Sequence, residues 1–145
     1  MIIVLVASSA EYKLYNYSFH PLKLELVKLQ ENVGMREQRG KFISIHENSE
    51  QTHHGSHATA HHSKEVSIDN FAQLIAKEIN YEVDQAKAQN LEYKIITLAG
   101  PHMNGLLNKH FSDDTKARIK LNFQKDLMHL EQNKLLEYLQ EHKFG

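Results

Sequence analysis

Six of the chain's eleven histidines lie between His46 and His62, and five of them crowd into His53, His54, His57, His61 and His62. The pairs His53/His57 and His57/His61 are four residues apart. In a helix that step would set two imidazoles on one side, the arrangement a zinc or nickel site needs. No apolar periodicity surrounds them, however, so the stretch reads as polar loop. A solvated loop therefore competes with a metal site at His53, His57 and His61. The chain has no cysteine, which excludes thiolate zinc sites, disulfides and cysteine nucleophiles together and leaves any metal to His, Asp or Glu. Near about pH 6.5 the cluster would gain several positive charges.

Three further groups could do chemistry. Arg36, Arg39 and Lys41 form a compact basic cluster beside Phe42; such a cluster can hold phosphates while the ring stacks a base, or can serve simply as a solvated loop. Gly100-Pro101-His102 follows an apolar run and opens a helix, whose first amides lack partners and would favour an anion. A plain chain reversal explains the same residues. Lys125, Asp126 and His129 follow an alternating segment, where Asp126 could act as an acid or could cap or pin the last helix. A two-metal nuclease needs carboxylates converging on two cations about 4 Å apart. The first strand carries none, and that chemistry is not expected.

The elements that must position these residues follow from the pattern. Met1 to Ala7 is continuously apolar and too short for a helix without polar faces, so it predicts a central strand buried on both sides. Ser8 to Ala10 allow only a tight reversal into a second strand ending at Phe19, and Leu22, Leu24 and Leu26 alternate with polar residues in a third, to about Leu29. From about 31 to 66 no period persists, apart from a short strand or turn at Phe42 to Ile45. Ser67 reads as an N-cap, and Ile68, Phe71, Ala72, Ile75, Ile79, Val83 and Ala86 then recur at helical steps to near Asn90. Tyr93 to Ala99 predicts a buried parallel strand, Ile119 to Phe123 a fifth, and Leu135, Leu136 and Leu139 a closing helix. The order strand, strand, strand, helix, strand, helix, strand, helix predicts an α/β, RNase H-like fold: one mixed five-stranded sheet with helices on both faces in a single domain.

Composition narrows the setting. The 145 residues carry 17 basic against 18 acidic side chains, so no overall positive field draws the chain to nucleic acid and any such partner would need a local patch. The longest apolar run falls far short of the roughly 20 residues that span a bilayer. No Lys or Arg precedes it, and Glu11 and Lys13 follow at once, so it is expected to be a strand rather than a signal peptide, in a cytoplasmic protein.

Leu98-Ala99-Gly100-Pro101 opening a helix, and Lys125-Asp126-Leu127-Met128-His129-Leu130 ahead of a Leu-bearing helix, together resemble the bacterial host attachment protein family. That family has an apolar first strand, a hairpin, a long polar loop and a Lys-Asp-Leu-Thr-His-Leu signature, with Met128 standing here for the Thr. It is similar in turn to the central domain of archaeal and eukaryotic release factors and of Pelota. The resemblance implies attachment to a host and a translation-related ancestry. The long segment here holds only Gly55 between His54 and Ser56, without the Gly-Gly-Gln of release factors, so peptide release is not expected. The reading is a non-enzymatic binding module, contacting RNA, the ribosome or a protein through the long loop, with self-association into a homo-oligomer left open. A metal-binding protein or metal-dependent hydrolase using the loop histidines is the alternative.

Overall fold

The computed structural model describes residues 1–35 and 53–142, the side chains of 53–63 excepted. β1 (Ile2–Ala7) is buried from Ile3 onward at the centre of a mixed sheet of order β3-β2-β1-β4-β5. The Ser8 amide donates to Glu11 O at 2.9 Å, and its hydroxyl accepts from the Ala10 and Glu11 amides. The chain therefore returns at once as β2 (Glu11–Phe19), with Tyr12 opposite Ala7. β3 (Leu22–Glu31) pairs antiparallel with β2 and forms one edge. β4 (Lys94–Ala99) lies parallel to β1, and β5 (Ile119–Phe123) parallel to β4.

The alternation expected along the third strand breaks at Val27. Leu14 faces Lys28 but Tyr15 faces Leu26, so one extra residue is inserted and the side-chain phase reverses beyond it. Leu22, Leu24, Leu26 and Leu29 consequently share one face, while Lys28 and Gln30 turn to the other.

Besides a helical stretch at 33–35, the helices are α1 (His53–Ala88), α2 (Pro101–His110), α3 (Asp113–Arg118) and α4 (Gln132–Glu141). α1 begins at His53 and not at Ser67, so residues 53–66 of the expected loop are helical and Ser67 is an interior position rather than an N-cap. Apolar periodicity reports which part of a helix is packed, not how far its backbone runs, and Ala58, Ala60, Lys64 and Glu65 all favour helix. The far end is where the pattern placed it. Asn90 adopts φ 56°, and the Leu91 amide reaches back to Ala86 O at 2.8 Å, a Schellman-type stop.

The core lies in two layers. On one face Ile3, Leu5, Ala7, Tyr12 and Leu14 pack under the α1 stripe with Met103 and Leu107 of α2. On the other, Val4, Val6, Tyr15, Tyr17, Leu24, Ile96 and Leu98 meet Leu135 and Leu139 of α4.

Candidate functional site at the carboxyl ends of the parallel strands

β1 and β4 end side by side, Ala7 opposite Ala99. The chain leaves β1 toward β2 on one side and, after β4, builds β5 on the other. Ligands of open α/β sheets bind where the strand order reverses in this way, outside the carboxyl ends. The rim here is built by Ser8, Gly100 and Asp126. Gly100 caps the start of α2 at φ −60°, ψ 163°, with Pro101 in the first helical turn. That backbone conformation suits any residue, so what the glycine contributes is space: a Cβ placed there would meet only the Asp126 Cβ, at 3.8 Å.

Asp126 Oδ1 accepts the Met128 amide at 3.2 Å, and the Leu130 amide closes onto Leu127 O at 3.1 Å. The N-cap of α4 is Glu131, which makes no side-chain cap bond. Asp126 thus holds the turn after β5 rather than the helix itself. Lys13 of β2 reaches the same turn, its Nζ 3.5 Å from Met128 O.

Of the residues proposed from sequence, the fold brings Gly100 near Asp126, whose Cβ is what a side chain at position 100 would first meet, and leaves Pro101, His102 and Lys125 exposed. His129 is exposed within the turn, and among the described residues nothing ties it to Gly100. Arg36, Arg39 and Lys41 lie outside the described residues, as does the expected strand or turn at 42–45. The backbone at His53, His57 and His61 is helical, while their side chains lie outside the described residues. Among the described residues no three His, Asp or Glu side chains converge to hold a metal.

The residue that fixes the β1 end is one the sequence reading passed over. Asn32 is buried, accepts the Met35 amide at 3.2 Å, and donates to Ser9 O at 3.0 Å and to Ser67 O at 3.4 Å. It joins the β1–β2 reversal, the end of β3 and α1. The signal was present as an Asn three residues before Met35, the spacing of an N-cap to its first free amide.

Two polar clusters lie on the α1 side. The Tyr12 hydroxyl donates to Glu78 Oε2, and Lys28 Nζ pairs with Glu78 Oε1. Burial first, and then the bond to Glu78, push the Tyr12 hydroxyl far above its ordinary pKa, so it remains a donor at any physiological pH. Beside this pair, Gln30, Asn70, Gln73, Leu74, Lys77 and Tyr81 line an open groove of about 780 Å³. Farther along α1, Asp69 Oδ1 meets His110 Nε2 at 2.9 Å. That hydrogen bond is the main cause of a lowered Asp69 pKa, with Lys109 adding to it.

No helix among the described residues is long and apolar enough to cross a membrane. No curated protein matches the chain. The family model described as "Protein required for attachment to host cells" matches residues 3–139, which takes in the central strand, the carboxyl ends of β1 and β4 and most of α4, and the chain belongs to that family.

Proposed function

We propose that the chain is an attachment-type binding module whose contact surface is the rim where β1 and β4 end. The family match across residues 3–139 carries the attachment half of this reading. Position supports the other half: Gly100 lies near Asp126 at this end of the sheet, and their chain neighbours His102 and Lys125 are exposed. Exposed polar side chains held on a rigid strand-and-turn frame are the usual makings of a recognition surface. The partner class that fits best is a protein on the host surface. An RNA or ribosomal partner would rest on Arg36, Arg39 and Lys41.

The test is adhesion. Cells lacking the gene should bind host cells severalfold less than their parent, and the intact gene should restore binding. A His102→Ala/Lys125→Ala gene should restore it poorly, although its product melts like the parent. Unchanged adhesion in the deletion strain would overturn attachment, and full rescue by the double variant would overturn the strand-end rim as the contact surface.

The helical backbone through His53, His57 and His61 favours a second reading, in which that part of α1 binds zinc or nickel, since four-residue steps fall on one helix face. Stoichiometric metal on purified untagged protein, lost in His57→Ala/His61→Ala, would support it. Metal-free protein that takes up none on titration would end it.

A further inference from the structure

The edge strand β3 is ten residues long, and on the face that it shares with α4 it leaves Leu22 42%, Leu26 45% and Leu29 52% exposed. Among the described residues no further strand pairs with this edge, and an edge with leucines half in water invites pairing with another strand. The sequence Leu22-Lys23-Leu24-Glu25-Leu26 reads as its own antiparallel complement. With a two-fold axis at Leu24, Leu22 of each copy stands opposite Leu26 of the other, and Lys23 opposite Glu25. Lys23 and Glu25 are about 60% exposed and pair with one another within the strand at 3.3 Å, so both are available to a facing strand.

We propose that this edge is a self-association surface, on which β3 of a second copy pairs antiparallel across Leu22–Leu26 to join the two sheets. Apolar contacts lie on one side of the strand pair and two Lys23–Glu25 contacts on the other, the cross-strand arrangement that favours one register. The bulge at Val27 ends the straight stretch, which confines pairing to this segment and closes the contact by symmetry rather than leaving it to propagate. Leu24 O already accepts from Gln132 Nε2 of α4, a bond that pairing must displace. Five residues per copy also fall short of the roughly 800 Å² per partner of a standard interface. The association is therefore weak, with a Kd of roughly tens to hundreds of micromolar.

Sedimentation equilibrium of the full chain from about 5 to 500 µM tests this. The parent should shift from monomer toward dimer. Lys23→Glu alone, or Glu25→Lys alone, sets like charges opposite in both pairs and should weaken association about tenfold or more. Mixing those two variants restores opposite charges at every pair, so the mixture should associate where neither does alone. Leu26→Lys should abolish association while leaving the melting temperature near that of the parent. A parent monomeric throughout, single variants that associate as the parent does, or a mixture that behaves as the sum of its parts would each overturn the proposal.

Discussion

The two faces of the sheet are covered by very different means. One lies under the long helix α1, whose stripe from Ile68 to Ala86 is almost wholly buried, and α2 completes the cover. That face is also tied by polar bonds between distant segments: Tyr12 and Lys28 to Glu78, Asp69 to His110, and Asn80 to Ser112 and Thr115. The other face lies under the ten-residue α4 and the turn before it. Its leucines near the β3 edge are half exposed, and among the described residues the Tyr138 hydroxyl is a buried polar atom without a hydrogen-bond partner. The short helix is placed mainly by its apolar layer, with the Gln132 bond to Leu24 O and the Lys13 bond to Met128 O as polar ties, whereas several side-chain bonds between distant segments fix the long helix in one register. The face that is locked holds the fold, and the face that is open has surface left for partners.

Breaking the locked face should cost most. Ile75 is fully buried at the middle of α1, and Ile75→Asp would bury an unpaired charge, with an expected loss of about 4 kcal/mol or more. A cooperative melt at the parent's midpoint would show that α1 does not carry the core.

One chemical change made on each face sharpens the contrast. Tyr12→Phe removes the donor to Glu78 and should destabilise by about 1.5–3 kcal/mol, because a bond to a charged group is lost. Tyr138→Phe removes a hydroxyl that has no partner while keeping the ring, which packs edge-on against Phe123 at 5.5 Å. It should be neutral or stabilise by up to about 1 kcal/mol. Equal costs in denaturant titrations would erase the distinction between the faces.

The smallest expected effect is acid sensitivity. The His110 contact holds the Asp69 pKa below its unfolded value, so the folded state binds that proton less readily. The resulting stability is fully present above the ordinary carboxylate value of about 3.9 and fades as pH falls through the folded pKa. Asp69 is about a third exposed, so solvent screens the contribution. His110→Ala should flatten this limb of the stability profile as the pH falls below the ordinary carboxylate value of about 3.9. An unchanged limb would remove the pair from the account.

Legibility from sequence followed the same division. The β1 run, the α1 stripe and the tight β1–β2 reversal could all be read because each depends on residues close in the chain. The bulge at Val27 could not be read, since a residue's insertion is visible only against the partner strand. Nor could the bond from Tyr12 to Glu78, which joins residues 66 apart. The start of α1 was misplaced because periodicity is silent where a helix does not bury a stripe. At the strand ends Gly100 and Asp126 are both legible, but their proximity depends on the β4–β5 pairing.

Native-state hydrogen exchange compares the two faces within one molecule and so tests their unequal hold most directly. Amides of α1 between Ile68 and Ala86 should exchange only through global unfolding, while those of α4 between Leu135 and Leu139 should open on their own and exchange about a hundredfold faster or more. Protection of α4 equal to that of α1, rising and falling with it across denaturant, would contradict the account and make the two faces a single cooperative unit.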